Sequence, residues 1–168
     1  MEDASWASTA AVRKSMQGNR YRDTKPELAV RRAAHALGLR YRVAVQPVQG
    51  LRRTADMVFP RLKVAVFVDG CFWHGCPEHY KEPRSHVDYW REKIAGNRLR
   101  DRQTTGLLNR EGWLALRYWA HEDPVSVAKQ IAEVVDQRRD ELLNIRNKPL
   151  HGASVTKGDV EVAECCRL

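Results

Sequence analysis

The chain has 168 residues, of which 43% are hydrophobic and 30% charged, with five Trp and five Tyr. That size and composition favour one globular domain with a real core and exclude a low-complexity chain. The 29 Lys and Arg against 21 Asp and Glu leave a net charge of +8, which suits a polyanionic partner. No apolar run approaches the roughly 20 residues of a membrane span. The opening MEDASWASTAAVRKSM holds no apolar stretch before a cleavage site, so no signal peptide is expected and the expected compartment is the cytoplasm.

In chain order, residues 1–22 are mixed and basic (Arg13, Lys14, Arg20, Arg22) and read as a flexible arm. Asp23-Thr24-Lys25-Pro26-Glu27 then begins a helix, with Pro early and Glu in the first turn, where the helix dipole favours it. The helix carries Leu28, Val30, Ala33, Ala34 and Leu37, and Gly38 stops it. Residues 41–45 alternate weakly as a strand, and residues 55–59 form a second strand stopped by Pro60. Residues 63–69 (KVAVFVD), nearly all apolar and β-branched, read as a central strand buried on both faces. Residues 70–80 are rich in Cys, His and Gly, hence irregular. Residues 87–108 look helical, residues 113–119 (WLALRYW) read as a strand, and Asp123-Pro124 opens a helix over Val125, Ala128, Ile131, Val134 and Val135. From about Asn147 the chain turns polar and disorder is expected. The order implies an α/β fold with a mixed central sheet flanked by helices. The folded domain is expected over residues 23–146 and a loose tail over 147–168.

The four cysteines fall into two pairs. Cys165 and Cys166 sit in the polar tail and are expected to play no part in the fold. Cys71 and Cys76 lie in CFWHGCPEH, which packs two Cys and two His into nine residues. In a chain expected in the cytosol, such a cluster suggests metal before disulfide. Structural zinc takes four soft ligands in a closed tetrahedron, and Cys71, Cys76 and His79 offer three from one loop. His121, at the end of the last strand, is placed to offer a fourth. His74 either binds metal in place of His79 or points elsewhere for chemistry.

Two acids stand in apolar strands: Asp56 within one and Asp69 at the end of another. A carboxylate there is costly unless paired or bound to a cation. Two strand-borne acids are a common way of holding Mg2+, which prefers hard oxygen ligands and shares the substrate phosphate. Either acid alone can instead be held by a hydrogen bond to backbone. Asp101, between Arg100 and Arg102, reads by composition as a surface ion-pair residue.

The blocks DTKPE (23–27), TADMVF (54–59), VAVFVDGCFWHGCPEH (64–79), YWREKIAGNRLRDR (89–102) and GWLALRYWAHE (112–122) together resemble the very-short-patch-repair (Vsr) mismatch endonucleases, in order and in spacing. The resemblance implies a restriction-endonuclease-like core that nicks one strand beside a T:G mismatch in double-stranded DNA, acting as a monomer. It implies Mg2+ on Asp56 and on the backbone carbonyl of Val68, His74 as catalytic base paired with Asp101, and Glu27 near the waters of the metal. Cys71, Cys76, His79 and His121 match the ligands of a structural Zn2+. Phe72, Trp73 and Trp90 match aromatics that wedge into DNA, and Met16 matches a residue of the groove-crossing arm. Ala55 stands where the family usually has Pro, and Ala120 where Glu is common. The Arg-rich loop with Arg52 and Arg53 is expected to add phosphate contacts. Two other readings are a restriction-type nuclease cutting undamaged duplex and a non-catalytic zinc-stabilised DNA-binding module.

Overall fold

An apolar run such as residues 63–69 belongs in the middle of a sheet, and the computed structural model, which describes residues 22–147, places it there. The elements are α1 (Lys25–Ala36), β1 (Met57–Phe59), a short 3-10 helix (Pro60–Leu62), β2 (Val64–Asp69), α2 (Val87–Arg110), β3 (Leu114–Trp119) and α3 (Pro124–Asn147). The strands lie in the order β1-β2-β3, with β1 antiparallel and β3 parallel to β2. The sheet is therefore mixed, as expected. Parallel neighbours need a long crossover, and α2 supplies it.

Alternation along β2 divides the core into two layers. Val64 and Val66 pack with Val30 and Ala34 of α1 and with Val127, Ala128, Ile131 and Val135 of α3. Ala65 and Phe67 face the other way, onto Leu108 of α2, with Leu51, Ala55 and Val58. Helices thus cover both faces, which is why β2 is apolar without a break.

The helix ends follow their sequence signals. Glu27 reaches back over the first turn of α1, accepting from Thr24 Oγ1 at 2.8 Å and from the Asp23 N–H at 2.9 Å. Gly38, at φ +81°, closes the other end, and the N–H groups of Gly38 and Leu39 return to the carbonyls of His35 and Ala34. Asp123 caps α3 by accepting from the Ser126 N–H at 2.9 Å.

Two expectations are corrected. Residues 41–45 form no strand of their own, only isolated bridges from Arg42 to Val58 and from Val45 to Ala55. Ala44 sits at φ +51°, in the left-handed region, which breaks the extended run between them. The strand expected over 55–59 is regular only from Met57, although Ala55 and Asp56 still donate to the carbonyls of Val45 and Val66.

The sheet direction sets up everything that follows. Because β2 and β3 are parallel and β1 opposes them, the start of β1 and the ends of β2 and β3 meet at one edge of the sheet. Clefts at the carboxyl ends of parallel strands are the usual sites of α/β proteins. Arg22 is described, whereas the rest of the expected arm (with Met16) and residues 148–168 (with Cys165 and Cys166) lie outside the described residues. Among the described residues no helix is long and apolar enough to cross a membrane.

Candidate active site and metal centre

The loop joining β2 to α2 begins at that sheet edge and is folded by its own backbone. The N–H groups of His74, Cys76 and Tyr80 donate to the carbonyls of Gly70, Cys71 and Cys76. Gly75 is required there: its φ is +62°, and a Cβ would lie 2.9 Å from the Ile94 and Arg98 side chains. Helix α2 then ties the loop down. Asn97 Nδ2 donates to the Trp73 carbonyl at 2.7 Å, Arg98 Nε to that of His74 at 3.1 Å, and Arg98 Nη2 to that of Gly75.

This folding brings Cys71, Cys76, His79 and His121 together, with one ligand atom of each within 4.8 Å of the others. Cys71 Sγ lies 3.2 Å from His121 Nδ1, and Cys76 Sγ lies 3.7 Å from His121 Nδ1 and 3.9 Å from His79 Nδ1. A tetrahedral ion with bonds of about 2.0–2.3 Å needs ligand atoms roughly 3.3–3.8 Å apart, so the donor set fits zinc in chemistry and in spacing. Burial, and then the Cys76 sulfur beside it, push the Cys71 thiol up, a state that a cation would reverse. Glu78 Oε2, 3.6 Å from His121 Nε2, is placed to orient that imidazole from outside. His74 is not in this cluster.

The His74 ring turns instead toward α2, where Nδ1 meets Asp101 Oδ2 at 2.6 Å. With Asp101 ionised, Nδ1 is the donor and Nε2 is left as the basic nitrogen. Burial works to raise the Asp101 carboxyl, but the bond from His74 and the charge of Arg117 outweigh it and hold it below the usual carboxylate range. Arg117 of β3 donates from Nη2 to Asp101 Oδ1 at 2.8 Å. It also grips Asp69, with Nε 2.7 Å from Oδ2 and Nη2 2.6 Å from Oδ1. Both Asp69 oxygens are therefore taken by a cation of the chain itself. Of the two acids singled out in the sequence, Asp69 thus has its partner within the chain.

Asp56 has a different environment. Its Oδ2 accepts the Val68 N–H at 2.7 Å, which brings the carboxylate beside the Val68 backbone. Burial pushes the carboxyl up to about 6, and neighbouring Glu27 adds to the shift. A half-buried acid in that state fits a cation ligand, because the ion would offset the desolvation. Glu27 itself is 6% exposed, and its oxygens hold Thr24, the Asp23 N–H and Arg31 Nη2. It stands beside Asp56 as a fixed acceptor.

The three expected wedge residues form one aromatic patch. Ring centroids are 5.3 Å apart for Phe72 and Trp73, 5.0 Å for Phe72 and Trp90, and 5.8 Å for Trp73 and Trp90. Phe72 and Trp73 are partly exposed, whereas Trp90 is only 5% exposed. Trp90 therefore backs the other two. Arg52 and Arg53 are exposed, on the segment that leads into β1.

Sequence reasoning missed Asn97, Arg98 and Arg117. The first two act on loop carbonyls and carry no signal in composition. Arg117 did carry one: it is a charge inside an apolar strand, the same feature that singled out Asp56.

A hydrogen-bonded carboxylate–imidazole pair, a half-buried aspartate and a Cys/His cluster share one sheet edge, groups suited to acid–base hydrolysis. The family model described as DNA mismatch endonuclease Vsr matches residues 7–80. The chain is 43% identical over 125 residues to the type II nicking enzyme V.NaeI of Lentzea aerocolonigenes, covering 73% of this chain and 74% of that one. It is 44% identical over 112 residues to the type II nicking enzyme V.NmeDIP of Neisseria meningitidis serogroup C, covering 66% and 74%. It is 32% identical over 107 residues to the DNA mismatch endonuclease Vsr of Escherichia coli strain K12, covering 63% and 67%. The chain belongs to the Vsr family and is a DNA endonuclease. That sets aside the reading of a non-catalytic binding module.

Proposed function

We propose that this endonuclease acts in very-short-patch repair, nicking one strand of duplex DNA beside a T:G mismatch, as a monomer with a restriction-endonuclease-like core. The observation that carries the reading is the 2.6 Å bond between His74 and Asp101, at the sheet edge that also holds Asp56. Membership of a mismatch endonuclease family supports it.

Asp56 and the Val68 carbonyl would hold Mg2+. When bound, that ion supplies positive charge to the scissile phosphate and to the leaving oxygen. The chain's own groups do the rest. His74 Nε2 takes a proton from the attacking water, and Asp101 fixes the tautomer and steadies the imidazolium. Glu27 orders water beside Asp56. Cys71, Cys76, His79 and His121 would hold Zn2+, whose part is to fix the loop that carries His74, Phe72 and Trp73. Phe72 and Trp73, backed by Trp90, unstack a base step, which costs a few kcal/mol. A T:G wobble is already displaced, so the cost is lower there than at a matched pair. Arg52, Arg53 and Met16 of the arm would contact the duplex.

Strand-resolved products test the reading. A T:G duplex labelled on one strand or the other is incubated with protein and Mg2+. A single nick, on one strand beside the mismatch, is the expected product. Cuts on both strands would support the restriction-type alternative, and intact DNA would refute catalysis by these groups.

A further inference from the structure

Arg117 stands in the middle of β3, with its side chain 22% exposed and its guanidinium 4.9 Å over the Phe67 ring. Phe67 is its register partner on β2, so the two strands set this placement. The guanidinium forks onto both oxygens of Asp69 and reaches Asp101 Oδ1 with Nη2. The other Asp101 oxygen meets His74 Nδ1. A continuous line of bonds thus runs Asp69–Arg117–Asp101–His74, tying β2, β3, α2 and the loop together.

We infer that Arg117 is a positioning residue of the nicking reaction: anchored on Asp69, it sets the plane of the Asp101 carboxylate and, through it, the ring of His74. The inference rests on the reading of His74 as general base. A carboxylate bonded only at one oxygen can rotate, because the terminal torsion of Asp is broad and soft. A charge-assisted bond at the second oxygen fixes it. The planar guanidinium grips Asp69 with two N–H groups and holds a further N–H in a fixed direction toward Asp101, whereas a Lys ammonium lacks that rigid fork. Asp69 has its own part. By sharing the guanidinium, it lets Arg117 align Asp101 without cancelling the negative charge that His74 needs beside it. The trio Asp69, His74 and Asp101 also has the spacing of a cation site. Arg117 already supplies the positive charge among them, so that trio is an ion-pair network rather than a second metal site.

Arg117→Met alone would strand two carboxylates and could unfold the chain. The test therefore uses Asp69→Asn/Arg117→Met, which removes the anchor with the arginine, together with Arg117→Lys and His74→Ala. Single-turnover nicking rate, affinity for T:G duplex and melting temperature are measured on each. The double variant should keep the wild-type affinity and melting temperature but nick roughly 10–100-fold more slowly, the size of effect seen when the partner that orients a metal-bound imidazole is removed. Arg117→Lys should be slow as well, with its fold intact; should the double variant not fold, this variant decides alone. A wild-type rate in the double variant, or in Arg117→Lys, overturns the inference. So does a rate that falls only in step with stability and DNA affinity, which would make Arg117 structural. If His74→Ala nicks at the wild-type rate, the general-base reading fails and the positioning role fails with it. A slow His74→Ala beside a normal double variant refutes the role of Arg117 alone.

Discussion

His74 and His79 are five positions apart, and the fold sends their rings to different partners. His79 meets Cys76, and His74 meets Asp101. Loss of a general base typically costs at least about 10²-fold, so His74→Ala should lower the single-turnover rate by that much without changing zinc content. Zinc lost from a folded His74→Ala protein would contradict this. Asp56 separates function from stability in another way. Its folded carboxyl, at about 6, lies above the ordinary 3.8, so the folded chain holds that proton more tightly than the unfolded one. The sign follows: the buried charge costs metal-free protein stability in full above about pH 6, and the cost vanishes as pH falls toward 3.8. That difference corresponds to about 3 kcal/mol. Asp56→Asn, which keeps an acceptor for the Val68 N–H, should melt above metal-free wild type at pH 7 and should not nick. Mg2+ should raise the melting temperature of wild type only. A less stable Asp56→Asn in metal-free buffer would show that the acid serves the fold. Asp56 and His74 could be singled out from the sequence, because a charge in an apolar strand and a histidine inside a metal loop are both anomalies, whereas Asp101, flanked by arginines, had a role only through the family resemblance. The links of Arg117 could not be read there: its partners lie 48 and 16 residues away, and only the folded sheet joins them.

At the scale of elements, the β2–α2 loop combines two tasks. Its tight turn at Gly75 and the Asn97 and Arg98 bonds position the backbone, while the Cys/His cluster would clamp it. Cys76 is 1% exposed, so Cys76→Ala should lose zinc and also open a core contact. Elemental analysis should find about one zinc per wild-type chain and none in the variant, with a lower melting temperature. Folded wild type free of zinc would contradict the metal centre. The aromatic patch gives a separate expectation. Stacking on a base is worth about 1–3 kcal/mol, so Trp73→Ala should weaken mismatch binding more than binding to plain duplex. Equal weakening of both would mean that Trp73 only packs. The long, strongly patterned elements could be read from sequence: β2 from its unbroken apolar run, α1 from Pro26, Glu27 and Gly38, and α3 from Asp123-Pro124. Residues 41–45 could not, because an alanine at positive φ leaves no trace in the residue pattern. Nor could the burial of Trp90, which depends on how α2 lies against the loop.

For the whole molecule, the mixed sheet is what makes a site out of scattered residues. Two parallel strands and one antiparallel strand bring Asp56, Asp69 and His121 to one edge, although the first and the last are 65 positions apart in the chain. The net charge of +8 supplies attraction for any duplex and carries no preference for a mismatch. On the proposed function, choice comes from the aromatic patch and from the lower cost of deforming a wobble pair. The most direct measurement is therefore the ratio of single-turnover nicking rates on two duplexes that differ in one base pair, T:G against C:G, with Mg2+ and identical flanks. The T:G duplex should be nicked on one strand much faster, while affinity for the two differs less than the rate. Equal rates on both duplexes would contradict mismatch-directed nicking and leave a nuclease of undamaged DNA.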